Sequence, residues 1–188
     1  MILLGSQSPR RRELLAGLDV DFKCVDIECE EHFPASLRGA DIPLYLAQLK
    51  ADAYSQSLNA DDILITADTI VWCDGMLYGK PADKTEARNM LRSLSGREHE
   101  VITGVCLTTP KRRKIFSVTT KVRFAKLTPS QIDYYVEKYL PLDKAGAYGV
   151  QEWIGYVGVE SISGSYYNVM GLPVQRLYSE LQSMLHEN

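Results

Sequence analysis

The apolar run Ile2-Leu3-Leu4 stops at Gly5 and passes without a spacer into Ser6-Gln7-Ser8-Pro9-Arg10-Arg11. This order reads as a strand, a Ser-rich turn and a helix, the opening of an α/β arrangement. Ser8 suits the N-cap, and Pro9 suits the first helical position, where a missing N–H costs nothing. Unpaired N–H groups and the positive end of the helix dipole then point out of the turn, a setting suited to an anion. Two arginines in that first turn run against the usual preference for acids there. They are either solvated surface residues or part of a polyphosphate site, since a local rule broken in this way tends to mark function.

The rest of the chain carries the same mixture. Pro9 to about Gly17 forms the first helix, and Val20 to Ile27 alternates as a strand before the acidic stretch Glu28-Cys29-Glu30-Glu31. Pro43 to about Ser57 is helical, with Leu46, Leu49 and Ala53 on one stripe and Lys50 at its edge. Ile63-Leu64-Ile65-Thr66-Ala67 has the nearly continuous apolar pattern of a strand buried on both faces, and it delivers Asp68 at its end. Asp74-Gly75 turns a hairpin within Thr69–Tyr78. Asp83 to Glu86 opens a helix that stops at Gly96, and Thr128 to Gln131 opens another that ends before Pro141. Val101–Thr109 and Ile115–Leu127 pair around a basic tip. Then come the small-residue loop Lys144–Gln151, a strand over Val157–Ile162 and a closing helix over Pro173–Leu185. Strands and helices mix without strict alternation, so the fold class is α/β with a mixed, twisted β-sheet and flanking helices.

Composition narrows the function. At 188 residues the chain can bury a sizeable core, and no apolar run reaches the ~18–20 residues of a membrane helix. The start of the chain has no basic segment ahead of a long apolar core, so a cytoplasmic, soluble protein is expected. A net charge of −3 gives no general nucleic-acid footprint. Lys111-Arg112-Arg113-Lys114 is expected to be a solvated hairpin tip. The four cysteines lack C-x-x-C pairing and the three histidines are scattered, which excludes zinc-type spacing and leaves the thiols reduced and structural.

Several polar residues fall at element ends, where binding groups concentrate on a rigid scaffold. Arg10 and Arg11 begin a helix, Lys50 borders an apolar stripe, Asp68 leaves a buried strand and Lys80 follows a hairpin. Glu28, Glu30 and Glu31 form either a solvated acidic turn or a carboxylate set for a hard cation such as Mg²⁺, which takes few protein ligands and bridges substrate phosphates. Ala145-Gly146-Ala147 lets backbone approach a flat ligand, and Gln151 offers an amide to a base edge. His99 reads as a packing or hydrogen-bonding residue. Gly75 to Lys80 is not a P-loop, because it is a residue short and Pro81 replaces the Ser or Thr.

Taken together, six segments resemble the Maf family of nucleotide pyrophosphatases. They are Ser6–Leu15, Ala67–Val71, Gly79-Lys80-Pro81, Leu94–Gly104, Asp143–Gln151 and Tyr166–Pro173, in order over almost the whole chain. The resemblance implies a single Maf-like domain over residues 1–188, with two lobes around a nucleotide cleft. It also implies hydrolysis of a nucleoside triphosphate to monophosphate and pyrophosphate, aided by a divalent cation (Mg²⁺, with Mn²⁺ or Co²⁺ as alternatives), in the cytoplasm and often as a homodimer. No nucleic acid or membrane partner is implied. Lys144-Ala145-Gly146-Ala147-Tyr148-Gly149-x-Gln151 is similar to the branch acting on dTTP and UTP. Within that branch Asp68 corresponds to the general base, and Arg10, Thr69 and Gln151 to specificity residues. Ser6, Arg11, Lys50 and Lys80 correspond to the phosphate-contacting set, with Glu30 as a metal-side acid and Asp68 as either base or metal ligand. A nucleotide-binding regulator of cell division with weak hydrolysis is the alternative. Two departures stand out: Gly5 replaces the usual Ala, and Glu152 stands where Gly commonly follows the Gln.

Overall fold

In the computed structural model, which describes residues 1–186, the N-terminal run forms strand β1 (Ile2–Gly5) and feeds helix α1 (Pro9–Ala16). Next come β2 (Phe22–Cys24), α2 (Asp41–Tyr54), β3 (Ile63–Cys73), β4 (Met76–Tyr78) and α3 (Lys84–Leu94). The chain continues through β5 (Glu98–Thr108), β6 (Arg113–Phe124), α4 (Pro129–Tyr139), α5 (Trp153–Gly158), β7 (Val159–Ser163), α6 (Tyr166–Met170) and α7 (Val174–His186). The strands form a mixed sheet in the order β2-β1-β3-β5-β6-β7, with β4 paired to β3. β1 runs parallel to both β2 and β3, while β3–β4 and β6–β7 are antiparallel. This is the mixed α/β sheet expected from the sequence. No helix among the described residues is long and apolar enough to cross a membrane.

The described residues fall into two compact units. The first comprises Met1–Thr69, Thr103–Val118 and the chain from Gly171; the second comprises Ile70–Ile102 and Thr119–Met170. In the first, Leu3, Ala47, Ala51, Leu64 and Cys106 make a buried cluster that joins α2 to the sheet. Thr66 Oγ1 donates to Ala47 O at 2.7 Å across that contact. α2 comes so close to β5 that a Cβ on Gly104 would lie 2.4 Å from the Pro43 carbonyl carbon. In the second, α3 and α4 bury Leu91, Leu94, Ile132 and Tyr135 with Phe124 and Ile154. Both helices start as their sequences predict: Asp83 accepts from Glu86 N–H, and Thr128 with Gln131 forms a complete capping box.

Several expectations need correction. Asp68 does not end its strand, because β3 continues unbroken to Cys73 and places Asp68 and Thr69 in its middle. The residues after Ala67 keep an extended, half-buried pattern, so the hairpin strand and the buried strand are one. β2 is shorter than Val20–Ile27, and the short helices α5 and α6 carry no signal in the sequence, because neither spans enough turns to show a helical period. The basic tip is not simply solvated. Arg112 donates to Met184 O, Arg113 pairs with Asp52 at 2.6 Å, and Lys114 pairs with buried Glu180. All four cysteines are free, but only Cys73 and Cys106 are buried as structural thiols; Cys24 is exposed.

Candidate active site

Local rules build the first part of the site. Ser8 Oγ accepts from Arg11 N–H at 3.4 Å and caps α1, whose first turn contains no acid. Ser6 Oγ accepts from Ser8 N–H at 3.3 Å and from Arg11 Nη1 at 3.5 Å. The rest of the Arg11 guanidinium is equally committed. Nε donates to Gly171 O at 2.8 Å, Nη1 to Ala67 O at 2.8 Å and Nη2 to Thr69 Oγ1 at 3.0 Å. Burial pushes its pKa below the usual guanidinium range, the nearby Asp68 carboxylate opposes that shift, and Arg10 adds to it. Arg11 is therefore a fixed positive charge, held by neutral acceptors rather than by a bound carboxylate. Thr69 is held just as firmly, with its Oγ1 2.9 Å from Thr103 Oγ1 and 3.3 Å from Gly171 O.

Lys50 organises the second part. Its Nζ leaves the edge of the α2 stripe and lies 2.9 Å from Asp68 Oδ1 and 3.2 Å from Glu31 Oε1. The Lys50 and Asp68 side chains are only 12% and 14% exposed, so little water screens their attraction. Glu30 points elsewhere: it pairs with His32 at 3.7 Å, in solvent. The Cys29 thiol lies in the same field and is pushed up by burial, then by Glu31, with Lys50 opposing and Asp68 adding to the rise. It stays a protonated thiol.

Among the described residues no group of three or more His, Cys, Asp or Glu side chains could hold a metal alone. Asp68 and Glu31 nevertheless face one point, the Lys50 ammonium. That donor set fits a hard cation such as Mg²⁺, which takes one or two carboxylates and completes its shell with water and substrate phosphate.

Lys80 and Gln151 belong to the second unit. Lys80 follows β4 and is exposed, and its neighbour Gly79 accepts from Gly146 N–H at 3.0 Å. That bond ties the Lys80 segment to the loop carrying Gln151. The loop needs glycine at 146, where φ is +69° and a Cβ would meet Val71 at 2.9 Å. Tyr148 is buried with its hydroxyl 2.6 Å from His99 Nε2, and both rings pack edge-on against Phe124. Burial depresses the His99 pKa to about 4 and leaves it neutral. Gln151 Oε1 is buried without a hydrogen-bond partner among the described residues. A buried amide oxygen in that state costs free energy until a donor reaches it.

The model of the family described as Maf-like protein matches residues 1–184. The chain belongs to the Maf family. Among its relatives, a Bacteroides thetaiotaomicron protein named dTTP/UTP pyrophosphatase is 55% identical over 184 residues, covering 97% of this Maf chain and 95% of that protein. A Porphyromonas gingivalis protein of the same name is 52% identical over 190 residues, covering 100% of this chain and 96% of that one. The solved structure of the Staphylococcus aureus Ham1 protein superimposes with a TM-score of 0.55 at 18% identity, over 95% of this chain and 98% of that one. This last likeness is one of fold.

Within this Maf chain the structure brings Ser6, Arg11 and Thr69 into one hydrogen-bonded cluster and Lys50 and Asp68 into another. The sequence offers Glu31 only as one of three candidate acids, and the resemblance assigns the metal side to Glu30; in the structure it is Glu31 that reaches Lys50. Adjacent acids in an irregular loop carry no periodicity that says which one turns inward, and only the contact with Lys50 separates Glu31 from Glu30.

Proposed function

We propose that residues 1–188 act as one pyrophosphatase domain that hydrolyses dTTP and UTP to the nucleoside monophosphate and pyrophosphate. The observation that carries this reading is the half-buried Lys50–Asp68–Glu31 cluster beside the pinned Arg11. It combines a carboxylate able to take a proton with fixed positive charge for phosphoryl oxygens, and preorganised charge is usually the largest catalytic contribution. The relatives' name, dTTP/UTP pyrophosphatase, supplies the substrate class.

In this mechanism Asp68 holds a water and accepts its proton as the oxygen bonds to the α-phosphorus. The bond from that phosphorus to the bridging oxygen breaks, and pyrophosphate leaves. Arg10, Arg11 and Lys50 draw in and steady the phosphoryl oxygens, the resemblance adds Lys80 to the phosphate-contacting set, and Ser6 sits where the α1 N-terminus adds its dipole. Asp68 and Glu31 are the groups for a divalent cation, with Mg²⁺ as the first choice and Mn²⁺ or Co²⁺ as alternatives. Such a cation supplies Lewis-acid stabilisation of phosphate charge. Glu30 remains the control residue, since the resemblance puts it on the metal side.

Gln151 accepts from N3–H of uracil or thymine and donates to O4, giving its orphaned oxygen a partner. Cytosine presents the opposite pattern at both atoms, and the thymine methyl changes binding by only ~1–3 kcal/mol. Lys80 and Gln151 enter this reading through the resemblance, as do Arg10 and Thr69 as specificity residues, a cytoplasmic setting and a homodimer. A panel of nucleoside triphosphates with Mg²⁺, followed by product identification, tests it. Turnover of dTTP and UTP well above CTP, yielding pyrophosphate, is expected. Release of orthophosphate and a nucleoside diphosphate, or no turnover at all, contradicts it.

A further inference from the structure

Glu152 follows Gln151 directly, and its carboxylate is folded into a clamp. Glu152 N–H donates to Gly149 O at 3.0 Å and closes a β-turn whose central residues are Val150 and Gln151. The phenol of Tyr135, projecting from α4, joins both ends of that turn. Gly149 N–H donates to the phenolic oxygen at 3.0 Å, while the phenol O–H donates to Glu152 Oε2. Glu152 Oε1 lies 3.1 Å from Lys144 Nζ, which also meets Asp143 Oδ1 at 2.9 Å.

Little room remains for variation here. A Cβ on Gly149 would lie 3.0 Å from Lys144 Cε and 3.1 Å from Glu152 Cδ, so the ion pair rests directly on the glycine. On the far side a Cβ on Gly155 would lie 1.7 Å from Val150 O, so α5 abuts the same turn. Tyr135 is fully buried, and its burial together with the Glu152 carboxylate drives the phenol pKa upward, keeping it a hydrogen-bond donor. Drawing a lysine and a glutamate out of water is costly unless both are paired and hydrogen-bonded. One backbone bond already closes the turn, so these three side chains add rigidity to the segment that presents Gln151.

We propose that Tyr135 and Glu152, supported by Lys144, are positioning residues that aim Gln151 at the pyrimidine, so that base preference depends on groups that never touch the base. This rests on the assignment of Gln151 to base recognition made above.

The test compares kcat and KM for UTP and for CTP in the unaltered enzyme and in Gln151→Ala, Tyr135→Phe, Glu152→Ala and Glu152→Gln, with the thermal midpoint of each. Tyr135→Phe and Glu152→Ala are expected to lower the UTP-to-CTP ratio of kcat/KM by about tenfold, the worth of one well-placed hydrogen bond. The change should be larger in KM for UTP than in kcat. Glu152→Gln, which keeps an acceptor for the phenol, should recover much of the ratio. If Tyr135→Phe and Glu152→Ala hold the original ratio while Gln151→Ala collapses it, the clamp is purely structural and the proposal fails. If Gln151→Ala itself leaves the ratio intact, the base assignment fails and this proposal falls with it. Tyr135→Phe is nearly isosteric, so the result stands even if Glu152→Ala does not fold.

Discussion

Lys50 stands between two carboxylates, which sets the consequences of changing each of the three. Asp68→Asn keeps the shape of the side chain but removes the proton acceptor. Its kcat should fall by ~10²–10⁴, the usual worth of a general base, and a loss below ~10-fold would remove Asp68 from the chemistry. Lys50→Met leaves Asp68 and Glu31 facing each other without their shared cation. Activity should drop, and added Mg²⁺ should raise the variant's thermal midpoint more than the parent's, because unpaired carboxylates bind the ion more tightly. Equal Mg²⁺ shifts in parent and variant would mean that these two acids do not form the cation site. Of the neighbouring acids, Glu31→Gln should cost clearly more activity than Glu30→Gln, since only Glu31 reaches Lys50. At this scale the sequence was informative about type and less so about partner. The Ser8 cap and the half-covered Lys50 follow from local spacing, whereas the choice between Glu30 and Glu31 depends on the path of an irregular loop.

Close approaches between elements make equally definite predictions. Gly104→Ala drives a methyl against the α2 backbone at Pro43, which has no flexible end to move aside. A destabilisation of ~1–3 kcal/mol by denaturant titration is expected, as for other overpacked contacts. In the second unit, His99 is buried neutral with its pKa depressed to about 4, below the unfolded value near 6.5. Between those values the unfolded chain binds the extra proton. The stabilisation is therefore complete above about pH 6.5 and declines as pH falls toward about 4. Thermal midpoints measured from pH 7.5 to 4.5 should fall more steeply in the parent than in His99→Gln; parallel curves would show that His99 is not the titrating group. Elements with caps, such as α1, α3 and α4, were legible because their signals lie within one turn of chain. The unbroken run of β3 through Asp68 was not, because a polar pair inside an apolar strand reads locally as its end. The pairing of Arg113 with Asp52 and of Lys114 with Glu180 was equally hidden, since it joins residues far apart in sequence.

For the whole molecule, the mixed sheet and its flanking helices follow from the balance of short apolar runs and amphipathic stretches, and the likeness to Ham1 agrees at the level of fold. Membership in the Maf family rests on a match over residues 1–184 and on relatives about 55% identical over nearly the whole chain. The chemical assignment asks more of the molecule: that Asp68, Lys50 and the arginine-bearing start of α1 direct water to the α-phosphorus and nowhere else. Hydrolysis of UTP in H₂¹⁸O with Mg²⁺, read by mass spectrometry of both products, shows which phosphorus takes the water oxygen. One ¹⁸O atom in UMP and none in pyrophosphate is expected. Label in pyrophosphate with unlabelled UMP would place the attack at the β-phosphorus and contradict the assignment.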